Sequence, residues 1–272
     1  MTVPSPVVAV PRRSSRPLAA ALLIAAMLAG CANPGNPQQP RTASDQTDND
    51  RRAAVRLELA GGYFGRGQYE TALDEVKQAL AAKPDMPEAI NLRSLIFAAM
   101  GEYALAEDGF KQLIARDPRN ADTLHNYGWF LCQRQRWADA YQQFETALAI
   151  PTYRTPARTW LAWGACEARE GRLIPAQSHL SKAFELDPGN PTVALNLGEV
   201  LYRQGEYERA RFYARRVNAN VEQANASSLW LELRIERRMG NMSNMDDLAQ
   251  QLRRKYPQAT ETQALNSGRF DE

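Results

Sequence analysis

Five residues of this 272-residue chain carry side chains suited to covalent or metal chemistry: Cys31, Cys132, Cys166, His125 and His179. A cysteine can act as a nucleophile, bind a metal, accept an acyl chain, pack as a small apolar group or form half of a crosslink. A histidine can act as a general base or a ligand. Cys132 sits in the stretch "NYGWFLCQRQRWADAYQQF", which holds two of the chain's five tryptophans. The stretch alone leaves all the cysteine readings open. The histidines are simpler. His125 and His179 fall in different repeats, one on a first helix and one on a second, and neither has Cys or carboxylate partners at zinc spacing. Both read as solvated or hydrogen-bonded side chains. No glycine loop is arranged to cradle a phosphate. The sequence therefore predicts no catalytic site, metal, cofactor or small-molecule substrate.

Residues 1–30 explain Cys31. Arg12, Arg13 and Arg16 precede an apolar run, "LAAALLIAAMLAG", that is short for a spanning helix and suits an export-signal core. The run ends in "LAGC", which resembles a bacterial lipobox: small residues permit cleavage before Cys31, whose thiol is then lipidated. Residue 32 is Ala, not the Asp that retains such lipoproteins in the inner membrane. The expected location is the periplasmic face of the outer membrane. The chain carries 33 basic and 31 acidic residues, net +2. Three arginines fall in the first thirty residues, so the remainder is near −1. The apparent basicity belongs to export and gives no reason to expect nucleic acid. Residues 31–52, with the polar run "NPGNPQQPRTASDQTDND", read as a disordered tether that cannot bury enough apolar surface to offset chain entropy.

The elements that must position the remaining candidates come from a repeat. "GRGQYETALDEVKQALAAKPDMPEAI" is echoed by "AMGEYALAEDGFKQLIARDPRNADTL" and, less closely, three more times. Pro84 and Pro118 lie 34 apart, the period of the tetratricopeptide repeat, a helix–turn–helix unit. Each unit places a small residue where its helices cross (Ala60, Ser94, Gly128, Gly164, Gly198) and another early in the second helix (Ala72, Ala106, Ala140, Ala176, Ala210). A large apolar residue follows at Val76, Phe110, Phe144 and Leu180. The fold expected is all-α: a right-handed superhelix of about six units near 53–86, 87–120, 121–156, 157–190, 191–225 and 226–257, with a polar C-terminal tail over 258–272. Unit six is degenerate, and its Arg- and Glu-rich runs, such as "RIERR", read as the solvated face of a terminal cap.

First helices should line a concave groove. The candidates to face it are Asn91, Leu95, His125, Trp129, Arg158, Leu161, Leu195, Glu199 and Tyr202. Trp160 and Trp163 fall at core positions. For Trp129, packing and groove contact are both open. The Lys/Asn clamp that grips chaperone carboxyl tails is missing: its positions hold Leu57 and Gly61.

The block from Leu124 to Gly171 carries more than a generic repeat. It contains an Asn-Tyr-Gly-x-Phe-Leu-Cys run (Asn126 to Cys132), an irregular Pro-x-Tyr-x-x-x-x-Arg connection (Pro151 to Arg158) and Gly-x-Cys (Gly164 to Cys166). In these features the chain resembles the PilF/PilW family of type IV pilus lipoproteins, over roughly residues 53–257 plus the lipobox. That resemblance implies a pilotin whose groove binds secretin subunits, or another pilus-assembly protein, and promotes formation of the outer-membrane ring. A monomer is expected, because the groove need not be self-complementary. A tetratricopeptide lipoprotein of another envelope machine, for barrel-protein assembly or peptidoglycan synthesis, is the alternative. With Cys31 lipidated and the domain in an oxidising compartment, Cys132 and Cys166 remain as an even pair on neighbouring first helices. A disulfide between them is expected, two separate packed thiols being the alternative.

Overall fold

The structure is a computed structural model and describes residues 47–270. The expected lipidation site Cys31, the expected export signal and most of the expected tether lie outside the described residues. Thirteen helices, and no strands, occur among them: α1 (Asp48–Gly65), α2 (Tyr69–Ala82), α3 (Pro87–Ala99), α4 (Tyr103–Arg116), α5 (Ala121–Gln133), α6 (Trp137–Leu148), α7 (Pro156–Glu170), α8 (Leu173–Leu186), α9 (Pro191–Arg203), α10 (Tyr207–Asn218), α11 (Ala226–Arg238), α12 (Met242–Lys255) and α13 (Thr260–Asn266). None is long and apolar enough to cross a membrane. The first twelve form six antiparallel pairs, and the chain is a tetratricopeptide solenoid.

Local chemistry sets the helix ends. Asn120, Asn190 and Asn225 cap α5, α9 and α11, each accepting a hydrogen bond from a backbone N–H of the first turn. Proline opens α3, α7 and α9, where no N–H is needed. The tight turns inside units one, two, four, five and six use Gly67, Gly101, Gly171, Gly205 and Gly240 at positive φ. Unit three has Gln135 there, at φ 59°, a conformation that costs a side-chain-bearing residue about 1–2 kcal/mol.

Within each unit the two helices meet at the small residues. Ala60, Ala72, Ala106, Ala140, Ala176 and Ala210 are fully buried, as are the large groups Val76, Phe110, Phe144 and Leu180. The approach is tight. A methyl group built on Gly128 would sit 2.7 Å from Phe144, and one on Gly164 2.6 Å from Leu180. Between units, each first helix packs on the second helix before it and on the neighbouring first helices: α3 on α5, α5 on α7, α7 on α9 and α9 on α11. A continuous wall of first helices results.

Three sequence expectations change. Helix α1 begins at Asp48, inside the span assigned to the tether. Within the segment expected to be a polar tail, residues 260–270 pack on the domain: α13 buries Thr262 and Leu265, and Phe270 packs on Trp230. The reason is amphipathic placement, because α13 lies one repeat after α11 and covers apolar surface that unit six would otherwise expose. Third, the acidic residues of α11 are not all solvated. Glu232 and Glu236 are buried, taking hydrogen bonds from Arg215 of α10 at 3.1 and 2.7 Å, from Asn218 at 2.7 Å and from Asn241 at 2.6 Å. They occupy the positions that Leu197 and Leu201 fill in unit five, so the joint between units five and six adds ion pairs to the apolar contacts that Leu231 and Ile235 make there.

The crossing geometry predicts opposite effects at two glycines. Gly164→Ala forces its methyl against Leu180 and should cost about 1–3 kcal/mol. Gly61→Ala, in α1 with nothing within 4 Å of the new methyl, should stabilise by about 0.5–1 kcal/mol. Urea denaturation of both variants checks the pair.

Candidate functional site

The wall and the joint between units three and four contain most of the candidate residues. Cys132, near the end of α5, and Cys166, about one turn before the end of α7, have Cα atoms 5.9 Å apart and are joined as a disulfide. Both are fully buried. The geometry follows from the two-residue insertion ahead of α7. Gly128 and Gly164 are structural equivalents 36 apart, so Cys166 stands two residues earlier in its unit than Cys132 does in its own and faces back toward it.

The other end of the same two helices is held by hydrogen bonds. Arg158 Nε donates to His125 Nε2 at 2.8 Å, and Arg158 Nη2 donates to Asn126 Oδ1. An arginine N–H can only donate, so His125 Nε2 is the acceptor and the ring proton lies on Nδ1. That Nδ1 contacts Thr159 Oγ1 at 2.9 Å, and Tyr153 OH contacts the same oxygen at 2.6 Å. Tyr153 belongs to the irregular connection, so the insertion contributes a side chain to the joint. Burial, and secondarily the Arg158 charge, push the His125 pKa down to about 3.

His125 is therefore not a groove residue: it is only 6% exposed, covered by the start of α7. The remaining candidates spread along the wall. Asn91 is half-buried, with an Oδ1 atom that has no hydrogen-bond partner. Leu95 and Trp129 pack against the core around Phe110 and Phe144, so Trp129 is at least half a packing residue. Arg158 remains exposed and reaches Asp122 at 3.6 Å. Leu161, Leu195 and Tyr202 border the core of units four and five. Glu199 pairs with Arg234, whose guanidinium lies 4.8 Å from the Tyr202 ring centre. Trp160 and Trp163 stack in parallel at 5.7 Å, and Trp163 meets Tyr141 and Phe144 of α6.

Sequence reasoning missed Trp230, Arg234 and Arg237. They follow Leu195, Glu199 and Tyr202 by one 35-residue step, so carrying the groove positions into the degenerate sixth unit would have found them. Chemically, the surface offers contact and not turnover. Among the described residues no group of His, Cys, Asp or Glu is placed to hold a metal. The thiols are crosslinked, and His125 is buried in its neutral form.

Two measurements test the joint. The folded chain keeps His125 neutral while the unfolded chain protonates near pH 6.5, so stability is fully present above that pH and falls as acid is added toward pH 3. At pH 5 the loss from this residue should be about 2 kcal/mol, and His125→Gln should lack it. Denaturation at pH 7.5 and pH 5 reads the difference. Separately, mass spectrometry of protein purified from its native host without reductant should find Cys132 and Cys166 linked, and Cys132→Ser should cost about 3–4 kcal/mol in the chain-entropy picture. Two free thiols would refute the crosslink.

Comparison with known proteins agrees with this architecture. Tetratricopeptide-repeat family models match residues 57–121, 110–148 and 168–229. The type IV pilus assembly protein PilF of Pseudomonas aeruginosa is 31% identical over 245 residues, covering 90% of this chain and 96% of that protein. The solved structure of P. aeruginosa PilF superposes with a TM-score of 0.67 at 28% identity, over 82% of this chain and all of that one. The crystal structure of PilW, described as a widely conserved type IV pilus biogenesis factor, superposes with a TM-score of 0.70 at 28% identity, over 78% and 97% of the two chains. These proteins are built as interaction scaffolds and not as enzymes, and the chain belongs with them to the PilF/PilW family of type IV pilus tetratricopeptide-repeat proteins.

Proposed function

We propose that this protein is a periplasmic scaffold of type IV pilus biogenesis, anchored in the outer membrane through lipidated Cys31, which binds secretin subunits and promotes their assembly into the ring through which the pilus exits. The observation that carries this reading is similarity to PilF along nearly the whole of both chains. A lipid anchor suits the role physically: it confines the wall to the membrane where ring precursors collect and so raises their effective concentration. The "LAGC" sequence supports the anchor. The wall supports partner binding, since it presents half-buried aromatic, arginine and aliphatic side chains of the kind that anchor protein interfaces.

Deleting the gene in its native host should abolish heat-stable secretin multimers and twitching motility, and Cys31→Ser should shift the protein from the outer-membrane fraction to the soluble periplasm. Unchanged multimers in the deletion would reject the secretin role. Photo-crosslinkers at Asn91, Trp129 and Arg158 should capture secretin in cells making pili; capture from the second helices alone would reject the wall as the binding face.

A further inference from the structure

The strongest unassigned feature lies at the C-terminal end of the wall. Helix α13 stops at Asn266, and Gly268, at φ +68°, reverses the chain: Gly268 N–H donates to Leu265 O, and Arg269 N–H donates to Ala264 O at 2.9 Å. That turn delivers Phe270 onto α11. Its ring stacks on Trp230, with centroids 5.6 Å apart and planes inclined by 20°. The Arg237 guanidinium lies 4.2 Å from the Phe270 centroid, and Arg234 stands 5.9 Å from that of Trp230.

Three features make this contact look like an occupied receptor. Trp230, Arg234 and Arg237 are the unit-six equivalents of Leu195, Glu199 and Tyr202, so Phe270 sits on the same face of the first-helix wall as the candidate groove residues. Phe270 is itself only half-buried and hangs beyond the last helix on an exposed turn, so its release disrupts no helix. The seat also carries positive charge: Arg237 lies over the ring, while Arg234 is paired with Glu199, and two acidic residues, Asp271 and Glu272, follow Phe270 in the sequence.

We propose that Trp230, Arg234 and Arg237 form a binding site for an aromatic side chain followed by acidic residues in a protein partner, and that Phe270 fills this site in cis and competes with that partner. The aromatic ring stacks on Trp230 beneath the Arg237 guanidinium, as Phe270 does, and the acidic residues meet Arg237. The inference goes beyond the secretin reading and does not depend on which protein supplies the segment.

The probe is a fluorescein-labelled hexapeptide with the sequence of residues 267–272, Ser-Gly-Arg-Phe-Asp-Glu, titrated onto the full chain and followed by polarisation. Phe270→Ala should bind it at least ten-fold more tightly than the wild type, in which the seat is filled. Phe270→Tyr, which keeps a ring in the seat, should behave as wild type. In the Phe270→Ala background, Arg237→Ala should lose the gain, and a peptide with Ala for Phe should not bind. Equal binding by wild type and Phe270→Ala, or binding indifferent to the peptide's Phe, overturns the proposal. So does loss of α12 and α13 helicity in Phe270→Ala, seen by circular dichroism, because Phe270 would then be a structural cap. None of these outcomes touches secretin, so they leave the deletion phenotype as a separate question.

Discussion

Everything in this chain depends on how closely the two helices of a unit can approach. Ala60, Ser94, Gly128, Gly164 and Gly198 let the backbones cross, and at Gly128 and Gly164 not even a methyl group fits. The large residue that follows the small one on the second helix fills what the crossing leaves open. Close pairing gives each unit its thickness, and that thickness returns the chain to the same phase every 34 or 35 residues. Only because the phase is kept do side chains distant in sequence line up along one wall. Where two extra residues enter, ahead of α7, the phase slips and the neighbouring helices meet through different positions.

That slip accounts for the character of the joint between units three and four. Elsewhere a first helix rests on the preceding second helix through one column of residues, which holds Tyr127, Trp163, Leu197 and Glu232 in successive units. At this joint two more fastenings are added between α5 and α7: the disulfide near the end of α5, and the Arg158–His125–Thr159–Tyr153 chain at its start. Neighbouring helices fastened at both ends cannot pivot about either one. The wall therefore has these two added fastenings where the family-specific residues concentrate.

The fold was legible because repeat packing is periodic, and periodicity survives in a single sequence. Gly, Ala and Pro recur at fixed intervals for steric reasons that no distant residue alters. The site was only partly legible. His125 looked like a wall residue because its helix position is a wall position; its burial comes from Thr159 and Arg158, one unit away, at a joint whose phase has slipped. Glu232 and Glu236 looked solvated because charge is the ordinary mark of a surface; Arg215, on the previous helix, reverses that. Phe270 and α13 were hidden in a polar segment whose buried face is a single i,i+3 pair, Thr262 and Leu265, too short to stand out as a period.

The crosslink also has a mechanical meaning. A solenoid pulled from its ends peels unit by unit, each released segment lengthening to its contour. The segment between Cys132 and Cys166 cannot lengthen. At roughly 3.4 Å per extended residue, its 34 residues withhold on the order of 110 Å of slack. Under load the molecule is two short springs joined by an inextensible link, because the looped segment adds no length even when its helices melt.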